Sequence, residues 1–165
     1  MSKEQPIELF MPPNILKAKV GGTVAGLDMA AVKRAEQAME GLKVEFSDWI
    51  AKDITRLAES YNAFITDKNA DRADDLFRAS HDLKGQATTF EFPLIARVAS
   101  SLCKLLDALK SPEAIPLTLV DAHVNAIHVI HRDKIKDISN LTALTLAEAL
   151  ETKVIKALAH ASHKG

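Results

Sequence analysis

Apolar residues recur at three- and four-residue intervals along most of this chain, and that period constrains it to pack helices. Val32, Ala35, Met39 and Leu42 form a first stripe, and Phe46, Ile50, Ile54, Leu57, Tyr61 and Phe64 a second. Ile95, Val98, Leu102, Leu105 and Leu109 follow, then Leu117, Val120, Val124 and Ile127, and finally Leu150, Val154, Leu158 and Ala161. A helix turns about 100° per residue, so each set lines one side of a helix that must bury it. No sustained period-two alternation stands between turn residues, so strands leave no signal.

Local punctuation divides these stripes. Asp28 has an N-cap side chain. Thr66-Asp67-Lys68-Asn69 is polar and turn-like, and Asn69 or Asp71 can cap the helix that follows. Pro93 disfavours helical geometry at Phe92 and suits the first position of the next helix. Ser111-Pro112 breaks that helix, and Pro116 opens another. Thr145-Leu146-Ala147-Glu148 has the form of a capping box. Gly41 leaves open whether the first two stripes share one kinked helix or belong to two.

Short loops between long amphipathic helices predict an all-α fold: an antiparallel up-and-down four-helix bundle over about Phe46 to Asp137. An extra N-terminal helix and a C-terminal helix are added to it. The expected organisation is an irregular arm over residues 1–27, interrupted by Pro6, Pro12, Pro13, Gly21, Gly22 and Gly26. The bundle then occupies 28–137 and an amphipathic helix 138–165.

Composition removes several function classes. Twenty-one basic against 22 acidic side chains leave a formal charge of −1, without the excess expected of a nucleic-acid binder. No apolar run reaches the roughly 18 residues of a membrane span, and the first residues carry no signal-peptide h-region. Cys103 is alone, so no intrachain disulfide forms, and a reducing, cytoplasmic setting is the simplest expectation. There is no P-loop, dinucleotide glycine motif or nucleophile elbow. His123, His128 and His131 share one predicted helix, but no Cys or HExxH pattern joins them, and ordinary helix histidines are expected rather than a metal site. His160 and His163 suit a helix C-terminus. Cys103, among Ala99, Leu102 and Leu106, is expected in or beside the core.

One segment carries chemistry: Ser80-His81-Asp82-Leu83-Lys84-Gly85, with Phe90 and Phe92 beyond it. Positions three and four apart are helical neighbours, so His81, Lys84 and Gly85 cluster. Leu76, Leu83, Ala87 and Phe90 point roughly 130° away from His81 on a helical wheel, which turns His81 to water. A solvent-facing imidazole beside a cation and a bare backbone suits a group that must meet another protein's phosphate.

The stretch Ala79 to Leu106 resembles a histidine-containing phosphotransfer (HPt) domain, and equally the first domain of chemotaxis kinases, which is the same module. The match is His-x-x-Lys-Gly at His81, Lys84 and Gly85, a small residue at Ala87, a closing Phe90, and the Leu-rich helix from Leu94 to Leu106. The resemblance implies a stand-alone phosphorelay intermediate and not an enzyme. His81 accepts a phosphoryl group, Lys84 stabilises its charge, and Gly85 lets a partner's active site come close. The implied partners are response-regulator receiver domains and a sensor histidine kinase, with no nucleic acid and no membrane insertion. No cofactor is implied, since Mg²⁺ belongs to the receiver, and a monomer suffices. Kinase dimerisation domains, by contrast, carry Pro shortly after the acceptor, where Gly85-Gln86 stands here.

The family pattern has Gly between the two aromatics, and this chain has Glu91, which assigns the turn to Phe92-Pro93. Phe77 is either part of a docking patch or a core-edge aromatic. Arg78 and Asp74 flank the same face, and Thr88 lies one heptad beyond His81, near enough to bond the imidazole or a bound receiver. The competing reading is a helical adaptor that binds a kinase or receiver without being phosphorylated.

Overall fold

The computed structural model describes residues 28–164. Among them lie five α-helices: α1 (Met29–Thr66), α2 (Ala70–Thr89), α3 (Pro93–Ala108), α4 (Leu117–Arg132) and α5 (Leu141–Ser162). A single 3-10 turn at Pro112–Ala114 interrupts the link from α3 to α4, and the described residues contain no strand. The arm expected over 1–27 lies outside the described residues.

By its internal contacts the chain divides into two units, residues 1–42 and 43–165. The described part of the first is the opening turns of α1, capped by Asp28, whose carboxylate accepts from the Ala30 N–H at 3.0 Å. Met29, Met39 and Leu42 are exposed there and Val32 is half-buried. The choice left open at Gly41 falls to one helix: α1 runs unbroken through it, so the extra N-terminal helix expected before Phe46 is the opening of α1 and not a separate element. Glycine keeps its backbone N–H and C=O, so a mid-helix Gly costs only about 1 kcal/mol against Ala and need not end a helix.

In the second unit, α3 packs against α2, α4 and α5. Helix α1 meets α2 through Phe46 stacked on Phe90, centroids 5.0 Å apart. It meets α4 where the Tyr61 hydroxyl donates to the Leu117 carbonyl at 3.3 Å. The later predicted stripes are buried, with Ile50, Ile54, Leu57, Tyr61 and Phe64 on α1 and Val98, Leu102 and Leu105 on α3, whereas Ala35, Met39 and Leu42 of the first predicted stripe are exposed. Leu76, Leu83 and Ala87 of α2 join Val120, Val124 and Ile127 of α4 in the same core. Each large apolar side chain so enclosed contributes about 1.5–3 kcal/mol. Fixing these four helices against one another fixes which face of α2 is left to solvent.

Three ends differ from expectation or sharpen it. Asn69 caps α2, accepting from the Arg72 N–H at 2.9 Å. Helix α5 starts at Leu141 rather than at the Thr145 capping box, because Asn140 accepts from the Ala143 N–H at 3.0 Å. The earlier start adds buried Ala143 to the face continued by Ala147, Leu150 and Val154. Arg97 of α3 then clamps α5 by donating to both oxygens of Glu151, at 2.7 and 2.8 Å.

The third end is the stop of α2. Glu91 has φ +62°, the left-handed conformation that glycine adopts without strain. The Phe90 N–H bonds Gln86 O at 2.9 Å and the Phe92 N–H reaches back to Ala87 O at 2.8 Å, a Schellman closure. The turn is thus made at Glu91, not at Phe92-Pro93: a six-to-one bond needs a left-handed residue, and Glu91 holds that place. Glu91→Gly should therefore raise stability by about 1 kcal/mol, read as a thermal midpoint higher by roughly 3 °C. An unchanged or lower midpoint would contradict the strain.

Candidate functional site

Helix α2 divides by face. Leu76, Ala79, Ser80, Leu83 and Ala87 are buried, and the Ser80 hydroxyl is satisfied within the helix by Leu76 O at 2.8 Å. The faces left over carry His81 and Gly85, both exposed, with Lys84 half-buried beside them. A Cβ placed on Gly85 would meet nothing within 4 Å, so the glycine leaves an open notch one turn after the imidazole. Phe77, half-buried one turn before, sets its ring 6.1 Å from the His81 ring at a 33° tilt and walls one side of it.

Lys84 does not float free of the bundle. Burial pushes the Cys103 thiol of α3 up to about 11, and the Lys84 charge pulls the other way, which places the ammonium near α3. A thiol so held is a core group at pH 7 rather than a nucleophile. Arg78 donates to Asp74 at 2.8 Å along the helix, in an exposed pair. The Thr88 hydroxyl donates to Lys84 O at 3.0 Å rather than to the imidazole, and Thr89 similarly bonds Gly85 O at 3.3 Å. Beyond Thr88 lies an open hollow of about 590 Å³ lined by Thr88, Glu91, Pro93, Ala96 and Lys136.

The structure adds groups that the sequence could not pair. Arg56 of α1 donates to Asp82 at 2.8 Å, across 26 residues of chain. Asp53, one turn before Arg56, is held above the usual carboxylate range by burial; Arg56 pulls it down and Asp82 pushes it further up. Phe46, Trp49 and Phe90 form an aromatic cluster at the far end of α2, with Trp49 half-exposed. No periodicity in a single sequence reports such cross-helix pairs, although Trp49 lies beside its helix's core stripe.

Among the described residues no three His, Cys, Asp or Glu side chains are grouped to hold a metal ion. His123 is enclosed in the core and His131 is half-buried against Phe92, ring centroids 5.8 Å apart. No helix among them is long and apolar enough to cross a membrane. What the α2 face offers chemically is one accessible nucleophilic ring, one nearby cation and room for another protein's active site.

The family model for the Hpt domain matches residues 41–140, more than half of the chain, from Gly41 of α1 to the cap of α5. No curated protein and no solved structure matches.

Proposed function

The chain belongs to the Hpt domain family, and from that premise we propose that it is a phosphorelay intermediate whose acceptor is His81. Hpt domains have a histidine phosphotransfer role in two-component signalling. The observation that carries the residue assignment is the exposed His81 beside Lys84 and the open notch at Gly85, on a helix whose opposite face is buried. Connections of three residues between α1 and α2, 67–69, and between α2 and α3, 90–92, support an antiparallel arrangement of the bundle.

Transfer follows from the imidazole's chemistry. One ring nitrogen of neutral His81 attacks the phosphorus of a receiver's aspartyl phosphate, in line with the acyl oxygen. The P–N bond forms as the P–O bond breaks, and the receiver carboxylate leaves with the electron pair. The proton on the other ring nitrogen is open to exchange with solvent, because the side chain is exposed. Such a reaction needs positioning and charge stabilisation more than further covalent chemistry. Lys84 supplies positive charge for the phosphoryl oxygens. Phe77, Arg78 and Thr88 border the approach and form the receiver-facing patch. Mg²⁺ belongs to the receiver, and the chain itself acts as a phosphocarrier between receivers, or from a kinase, without a kinase activity.

The test is phosphoryl transfer from a radiolabelled receiver to the protein, beside His81→Gln. Acid-labile, base-stable label on the wild type alone is expected. Tight receiver binding with no label would replace this reading with the unphosphorylated adaptor.

A further inference from the structure

We propose that Arg56 is an electrostatic positioning residue for transfer at His81, acting by neutralising the carboxylate of Asp82. The inference rests on His81 being the acceptor.

The carboxylate next to the acceptor is a problem in itself. A phosphoryl group brings between one and a half and two negative charges at neutral pH, and Asp82 follows His81 directly in α2. Asp53 of α1 belongs to the same cluster, since Asp82 pushes its ionisation up and Arg56 pulls it down. Two carboxylates thus feel one guanidinium beside the site, and the hydrogen bond of Arg56, 2.8 Å, goes to the one adjoining His81. Asp82 and Asp53 left bare would oppose the incoming dianion through solvent and protein.

A mere tie between α1 and α2 is the weaker explanation of the pair. Its side chains are 54% and 50% exposed, and exposed ion pairs contribute little to stability. The long apolar contacts of α1 already hold it to the core. Charge near a doubly charged reacting group, in contrast, acts over the distance between neighbouring side chains without contact.

Breaking the bridge from its two ends separates these roles. The probe is phosphoramidate, a small donor from which ammonia departs as the P–N bond to His81 forms, so receiver docking plays no part. Phosphohistidine is followed by phosphorus NMR, and His81→Gln supplies the background from other histidines. Arg56→Ala should be labelled roughly three- to tenfold more slowly than wild type, and Arg56→Lys close to normally. Asp82→Asn, which breaks the same bridge, should be labelled as fast as wild type or faster. Arg56→Ala combined with Asp82→Asn should return most of the lost rate. The differences should shrink at high salt, where such interactions are screened. Equal slowing by Arg56→Ala and Asp82→Asn, or no change in either, would overturn the proposal while leaving a labelled wild type, and so the His81 assignment, intact. A wild type labelled no better than His81→Gln would overturn both.

Discussion

Gly85→Leu should make the protein more stable and abolish its exchange with receivers. Glycine within a helix costs about 1 kcal/mol against a good helix former, and leucine recovers most of that. Nothing in the bundle opposes a Cβ here, since beyond the adjoining helix backbone no atom lies within 4 Å of one at this position. The thermal midpoint should therefore rise by about 2–4 °C. Outside the bundle the effect reverses. Residues four apart on a helix have Cβ atoms about 5–6 Å apart, so a leucine stands beside the imidazole where a receiver's active site must enter. Reacting atoms must come to about 3–3.5 Å in line, and a displacement of about 1 Å costs on the order of a hundredfold. A loss of at least that size in receiver-to-protein transfer is expected, with Gly85→Ala intermediate. Labelling by phosphoramidate should survive, because a small donor needs no notch. Normal receiver transfer by a folded Gly85→Leu protein would sink the argument that glycine is there for close approach.

That expected opposition of stability and function explains why the candidate site stands out in the sequence. A glycine in mid-helix breaks a local rule with no structural return, and rules broken without return collect at functional sites. His81, Lys84 and Gly85 could be placed on one helix because three- and four-residue spacing is a property of the helix alone, and the burial of Leu76, Leu83 and Ala87 follows from the same arithmetic. The core stripe Ile50 to Phe64 was readable for the same reason.

What escaped depends on other physics. Glu91 in a left-handed turn cannot be inferred from its type, since glutamate is a poor choice there and is held only by the closure around it. Helix α5 starts ahead of the capping-box pattern at Thr145 because Asn140 caps it, and the earlier start gains the burial of Ala143. Continuity through Gly41 is decided by a cost of about 1 kcal/mol, too small to read from a single residue. The Arg56–Asp82 bridge joins two helices whose relative rotation no single stripe specifies.

His123 is a further case of a residue whose role only packing reveals, and it predicts an acid-sensitive fold. It is fully buried in α4, with Nδ1 2.7 Å from Leu119 O and Nε2 3.1 Å from the Ser101 hydroxyl. A carbonyl only accepts, so Nδ1 carries the proton and Nε2 accepts from Ser101. This neutral ring satisfies both contacts, whereas a second proton would place a charge in the core with no carboxylate bonded to it. Burial accordingly lowers its ionisation below the usual histidine value of 6.5, with the Leu119 carbonyl opposing the shift. The unfolded chain then binds more protons than the folded one once pH falls below about 6.5. Stability should be level above that pH and decline below it, by up to about 1.4 kcal/mol per pH unit. His131, lowered by burial and by the charges of His128 and Lys134, adds to the same slope. The depressed carboxylates of Glu151, Asp133 and Asp137 lose their contribution only below the normal carboxylate range, while Asp53, raised by burial, takes up its proton earlier in the folded chain and opposes the histidine slope. Between pH 7.5 and 5.0 the wild type should lose stability, read as a lower thermal midpoint at pH 5.0, with about 2 kcal/mol per buried histidine as the ceiling. His123→Leu fills similar space without an ionisable ring, and Ser101 can turn its hydroxyl to its own helix. This variant should stay folded at pH 7.5 and show a shallower acid slope than the wild type. Urea melts of the two proteins at both pH values decide the matter. Parallel slopes would mean that His123 titrates alike in the folded and unfolded chain, contrary to its enclosure in the core.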